Sequence, residues 1–251
     1  MSNPVKEKIR NNQIVSGCFI GMYSTYLVEV AGHVGFDFIV IDNEHGAFSW
    51  EQIEDMIRAV EITTAVPFVR VPSSDPVYIL KALDRGAKGI HVPKIESEEE
   101  ADQVIKSVKF PPEGERGVAY SVRASKYGLD GGPEYLKRSN DDIFITIQLE
   151  TPKGIDNAEK IIEKDVDMVY IGPTDLSVSA NRASEGVKDP EVIELIERVF
   201  DIGQSINKNI GIHVANSSEW HERKKWGAKY MGVAINSIIN PALSQYLEEI
   251  K

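Results

Sequence analysis

Glu150 in ITIQLETPKG and Asp175 in VYIGPTDLS each close an apolar run of strand length, and a helical stretch separates them. In a parallel α/β fold the carboxyl ends of the strands share one face, where such folds do their chemistry. Two hard oxygen donors facing one cleft, with coordination positions to spare, suit a divalent ion such as Mg²⁺, Mn²⁺ or Co²⁺. Taken singly, either carboxylate serves equally well as a cap for the helix that follows it. What lifts the pair is its company at the other strand ends.

Phe19 stands near the end of the first strand, and Asp42, Glu44 and His45 follow the second in VIDNEHG. Arg70 closes the third, Lys94 the fourth, and Gln148 precedes Glu150 on the fifth. Gly172, Pro173 and Thr174 lead into Asp175, His213 and Asn216 end the seventh strand, and Asn236 ends the eighth. Charged groups on apolar strands are costly to bury unless they pair or bind something. A purely structural ion network is the bland alternative, but the strand starts carry far fewer such residues. His45 sits on a Gly-flanked turn, and an imidazole ordinarily titrates near neutral pH, so it is the candidate general base. Asp84, in the helix after the third strand, is placed to orient a histidine, although Asp at a helix end is commonplace. His33 and His221 fall in helical patterns, His91 inside a strand as barrel filling, and Cys18 in the buried-strand pattern SGCFIG.

The elements that must position these groups repeat from end to end. IVSGCFIG (14–21), FDFIVID (36–42), PFVRV (67–71), KGIHVPKI (88–95), DIFITIQLE, DMVYIGPTDL, NIGIHVAN and KYMGVAIN alternate with helical patterns. Ser49 is a helix N-cap, Asp75 caps a helix with Pro76 at its first position, and Ser97 with Glu100 forms a capping box. The acidic run ESEEEAD is thus a solvated helix start. A Pro- and Gly-rich insertion spans 110–140, one helix is expected from Glu150 to about 165, another from Pro190 to about Ile206, and a last one over PALSQYLEEIK. Eight strand–helix units with continuous apolar strands imply one closed (β/α)8 TIM barrel over residues 1–251. A doubly wound open sheet is weakened by FIGMYSTY standing where GxGxxG would follow the first strand.

The chain has 251 residues, 42% of them hydrophobic, and a net charge of −11. With no basic run, nucleic acid and anionic membrane are unsuitable partners, and a small-molecule substrate is expected. One cysteine forms no internal disulfide, no apolar leader is present, and no segment approaches the roughly 18 apolar residues of a membrane span, so a cytoplasmic location is expected.

The elements IDNEHG, VRVP, QLETPKG and IGPTDLS, with KFPPEGERGVAYSVRAS, resemble the HpcH/HpaI aldolase family from about residue 14 to 240. These are metal-dependent (class II) pyruvate aldolases, including 4-hydroxy-2-oxoheptane-1,7-dioate and 2-dehydro-3-deoxyglucarate aldolases. The resemblance implies that Glu150 and Asp175 hold a divalent ion and that the backbone of Thr174 and Asp175 grips the carboxylate of pyruvate. It implies that Arg70 stabilises the enolate oxygen, that Gln148 positions ligands, and that His45 moves protons with Asp84 orienting it and Asp42 nearby. It also implies a homohexamer, with the apolar tail IINPALSQYL docking on a neighbour. The chain departs from the family at His213, where an aliphatic residue is usual, and at Asn236, where Asp is frequent; both bear on the aldehyde.

Three rivals are kept. A Schiff-base aldolase would use Lys94, yet Glu96 nearby suggests a strand-end ion pair instead. A phosphate-handling barrel lacks its Gly-rich turns in HVANSSEW and VAINSIIN. A non-catalytic binding barrel would have lost a charged group that this chain retains. Related barrels acting on phosphoenolpyruvate or acyl-CoA esters by the same metal chemistry stay open.

Overall fold

The structure, a computed structural model, describes residues 3–251. Eight parallel strands close on themselves in chain order: β1 (Val15–Ile20), β2 (Phe38–Asp42), β3 (Val66–Arg70), β4 (Gly89–Val92), β5 (Phe144–Leu149), β6 (Met168–Ile171), β7 (Ile210–His213) and β8 (Tyr230–Ala234). The expected barrel is present, and the open sheet is excluded because β1 pairs with both β2 and β8.

Two apolar layers follow from the two-residue period of the strands. Outward-facing residues such as Ile39, Ile41, Ile90, Ile147 and Ile171 pack against the helices. Inward-facing Phe19, Phe38, Phe68, Phe144, Tyr170 and Tyr230 fill the barrel with rings. Gly17 leaves room for one of them, since a Cβ there would overlap the ring of Phe38. His91 is wholly buried among these rings with Nε2 2.6 Å from the Tyr230 hydroxyl, as expected of barrel filling. Cys18 is buried too, and burial pushes its thiol up to about 12, so it is inert.

Helix Pro4–Arg10, absent from the expectations because the N-terminal sequence is so polar, closes the lower end by burying Val5 and Ile9 against the inner layer. Its cap is Asn3, whose side chain accepts from the Val5 N–H. Ser49 makes a complete capping box with Gln52, and Asp75 caps helix Pro76–Asp84. Ser97 accepts from the Glu100 N–H, but the Glu100 carboxylate reaches one residue further back, to the Glu96 N–H, so that box is open.

Other boundaries moved for local reasons. The helix expected to 165 is two short helices, Pro152–Asp156 and Ala158–Ile162, divided at Asn157, whose amide donates across to the Glu96 carbonyl. The helix expected to follow Asp175 is Pro173–Ser179, which begins two residues earlier, so Asp175 lies in its first turn and not at its cap. The insertion contains a 3₁₀ segment, Arg123–Gly128, and helix Gly132–Asp142. The last helix begins at Asn236 rather than Pro241 and buries none of its residues. No helix among the described residues is long and apolar enough to cross a membrane.

Candidate active site

A cavity of about 410 Å³ opens at the carboxyl ends of the strands. It gathers Phe19, Asp42, His45, Arg70, Gln148, Glu150, Gly172, Pro173, Thr174, Asp175 and His213, every residue expected at the site except Asp84. Helix Pro76–Asp84 starts at the mouth and runs back down the outside of the barrel. Its nine residues carry Asp84 roughly 13 Å toward the opposite face, where it accepts from Arg116 at 2.9 Å. Within the chain Asp84 therefore does not orient His45. The group closest in charge to that imidazole is Glu44, 3.9 Å from Nε2.

Arg70 is the hub. Its Nε donates to Asp42 Oδ1 at 2.8 Å and its Nη2 to Asp42 Oδ2 at 2.7 Å, a bidentate fork made possible by the pairing of Asp42 with Arg70 across β2 and β3. Its Nη1 lies 3.1 Å from Glu44 Oε2, and its guanidinium lies over the Phe19 ring. That Glu44 contact is an ion pair without hydrogen-bonding alignment, since Oε2 is left without a hydrogen-bond donor. Burial pushes the Asp42 carboxyl up, but the Arg70 hydrogen bonds and charge outweigh it and hold Asp42 below the usual range. Burial raises Glu44 above its usual value, against the pull of Arg70 and His45. His45 rides on the turn that follows: the Glu44 and His45 N–H groups reach Asp42 Oδ1, the Gly46 N–H reaches the Asp42 carbonyl, and the imidazole is left exposed.

Glu150 is only 2% exposed. One of its oxygens, Oε2, accepts from the Lys94 backbone N–H at 3.2 Å, while Oε1 is buried with no partner. Lys94 takes a left-handed backbone (φ 54°) to present that N–H, a strained conformation in direct contact with the site. Its side chain does not line the cavity, and the expected pairing with Glu96 is absent because Glu96 binds Lys153 and Thr151. Desolvation, then the charges of Glu44 and Asp175, raise Glu150 to about 8 against the opposing pull of Arg70. The neighbouring Gln148 also has an unpaired buried oxygen.

Unpaired oxygens on Glu150 and Gln148 beside Asp175 are what a hard divalent cation would satisfy. Among the described residues no group of three or more His, Cys, Asp or Glu side chains converges on one point, so such an ion would keep positions open for substrate oxygens. The residues present fit that group. Gly172 matters to the fit: a Cβ there would stand 2.7 Å from Glu150 Oε1.

A family model described as HpcH/HpaI aldolase/citrate lyase matches residues 15–241. The chain belongs to that family. It is 32% identical over 232 residues to the 5-keto-4-deoxy-D-glucarate aldolase of Salmonella paratyphi C, covering 92% of this chain and 90% of the relative. Its fold superposes with a TM-score of 0.94 on an HpcH/HpaI aldolase/citrate lyase family protein from Burkholderia cenocepacia, at 28% identity over 99% of both chains. An HpcH/HpaI aldolase from Desulfitobacterium hafniense gives 0.90 at 25% identity, covering 98% of this chain and 96% of the other. The Asp-x-Glu-His turn after β2 supplies Asp42, Glu44 and His45. Of these, Glu44 stood among the strand-end residues without a role, and only the Arg70 contact reveals one. Tyr170, hidden mid-run in MVYIG, reaches the cavity floor, and no signal in the sequence separates it from core.

Proposed function

We propose that the protein is a divalent-metal-dependent aldolase that reversibly cleaves a 4-hydroxy-2-oxoacid to pyruvate and an aldehyde. The observation that carries this is the buried, half-partnered Glu150 carboxylate beside Asp175, facing an arginine held rigid by two further carboxylates. Glu150 and Asp175 would hold Mg²⁺, Mn²⁺ or Co²⁺, with Gln148 beside them. When bound, such an ion draws electron density from a ketone oxygen and makes the adjacent carbon acid stronger.

The chain's own groups do the rest. The first-turn N–H groups of Thr174 and Asp175, orphaned as at any helix start, orient a carboxylate at the mouth. Asp42 and Glu44 fix the Arg70 fork so that it meets an enolate oxygen without reorganising. His45, exposed at the rim, exchanges protons with the substrate and with water. In the cleavage direction the C4 hydroxyl loses its proton, the C3–C4 bond breaks, the aldehyde leaves, and C3 takes up a proton to give the methyl of pyruvate. Phe19 and Tyr170 shield the cavity floor. The relative's substrate, 5-keto-4-deoxy-D-glucarate, is the first to test. Pyruvate release that stops with a chelator and returns with Mn²⁺ or Mg²⁺ is expected; full activity in ion-free protein would overturn the proposal.

The exposed last helix supports an assembly of several copies. Asn236–Glu249 leaves Leu243, Tyr246 and Leu247 exposed. A second cavity, about 380 Å³, lies between β1, β8 and Trp220, where an eighth barrel helix would pack. A second copy's terminal helix is the occupant its apolar face fits, within a homo-oligomer that family resemblance makes a hexamer. Light scattering should give an oligomer that shrinks when residues 241–251 are removed. A monomeric full chain would refute it.

A further inference from the structure

Beneath the cavity lie two imidazole–phenol pairs that no step above uses: His91 with Tyr230, and His213 with Tyr170, the latter with Nδ1 3.1 Å from the hydroxyl. The first is sealed in the barrel. The second reaches the mouth, because Tyr170 is buried while His213, the last residue of β7, lines the cavity.

Which atom donates is set by the surroundings. The Tyr170 hydroxyl has no other side-chain or carbonyl acceptor among the described residues, and the Gly232 N–H faces its oxygen as a donor. Gly232 makes that approach possible, since a Cβ there would stand 2.7 Å from the phenol oxygen. Were Nδ1–H the donor, the phenol proton would be buried with no acceptor, at the full desolvation cost of that group. Burial also keeps the phenol protonated, far above its usual pKa. Tyr170 therefore donates, Nδ1 accepts, and the ring proton resides on Nε2.

The ring is neutral as well. Burial, then the charge of Arg70, push His213 down to about 4, against the weaker pull of Asp42 and Asp175. Phe19 packs edge-on against it at 5.4 Å. Nε2 has no partner among the described residues and is not one of the buried unpaired atoms, so it opens to the cavity. Glu150, Asp175, Arg70 and Gln148 occupy the side of the mouth formed by β3, β5 and β6. His213 faces them from β7, four strands round the barrel from Arg70, and the Phe19 ring of β1 touches both His213 and the Arg70 guanidinium.

We propose that His213 is a specificity residue: its Nε2–H offers a neutral hydrogen-bond donor to the aldehyde half of the substrate and selects aldehydes carrying a hydroxyl or carboxylate oxygen beside the carbonyl. This rests on the aldolase function proposed above and names the substrate class of that site. A neutral donor serves both oxygens, whereas an aliphatic side chain at this position would favour neither.

The test compares kcat/KM for pyruvate addition to glycolaldehyde and to propionaldehyde, an isosteric pair differing in one hydroxyl. The ratio is taken within each variant, so a general loss of activity cancels. The unsubstituted protein should favour glycolaldehyde, and His213→Leu should lower the ratio about tenfold, the worth of one neutral hydrogen bond at the upper end. His213→Gln, whose amide restores a donor, should recover most of it. Nitrogen-15 NMR of the unsubstituted protein should show His213 protonated on Nε2, a readout that does not depend on any variant folding. An unchanged ratio in His213→Leu, or a ring proton on Nδ1, overturns the proposal. Failure of the unsubstituted protein to exchange pyruvate protons would instead overturn the aldolase function itself.

Discussion

Glu150 has to lose a proton before it can bind a cation, and its raised pKa makes that loss measurable. With a value of about 8, some ten-elevenths of the carboxyl groups are protonated at pH 7, so each ion bound should release about 0.9 proton. At pH 9 the release from this group falls to about 0.1 proton. Apparent affinity should climb about tenfold per pH unit up to pH 8 and then flatten. Calorimetric titration with Mn²⁺ in two buffers of different ionisation enthalpy counts the protons directly. Glu150→Gln should abolish this release and weaken binding substantially. The ion-free protein offers a second view. Between about pH 4.5 and 8 the carboxyl is ionised in the unfolded chain and protonated in the folded one, so its contribution to stability declines as pH rises through that window and is constant above it. Glu150→Gln should flatten that part of the profile. Equal proton release at pH 7 and pH 9, or release unchanged by Glu150→Gln, would refute the reasoning.

Two substitutions test the rest of the site. Arg70→Lys keeps the charge but loses the fork that spans Asp42 and Glu44, and should slow pyruvate proton exchange at least tenfold, on the order of 1.4 kcal/mol of transition-state stabilisation; an unaffected rate would confine Arg70 to structure. Gly172→Ala would set a methyl 2.7 Å from Glu150 Oε1 and 3.0 Å from its Cγ, displacing the carboxylate, so Mn²⁺ affinity should fall in calorimetry; a wild-type Kd would show that Glu150 is not held where the geometry requires.

The barrel and most of its mouth were legible in the sequence because a parallel strand buried on both faces writes an unbroken apolar run, and its end is where polarity returns. Glu150, Asp175, Arg70 and His45 all stand at such ends. Asp84 was placed by resemblance and not by position: within one chain, a helix following a barrel strand delivers its last residue to the opposite face. Tyr170 was illegible for the converse reason, since a phenol one residue before the strand end looks like core until its hydroxyl is seen to reach His213. The plugging helix Pro4–Arg10 hid behind a polar composition, with Val5 and Ile9 too few to mark a buried face. Pro241 suggested a helix start by its usual preference, yet it lies inside helix Asn236–Glu249.

The central claim is that this cavity ionises the methyl group of pyruvate with the help of a divalent ion. Incubating the protein with pyruvate in D₂O and following the methyl signal by NMR tests that step without any knowledge of the natural aldehyde. Exchange that requires Mn²⁺, Mg²⁺ or Co²⁺, stops with a chelator and is lost in Glu150→Gln is the predicted result. Exchange that persists in ion-free protein, or none at all with the ion present, would contradict it.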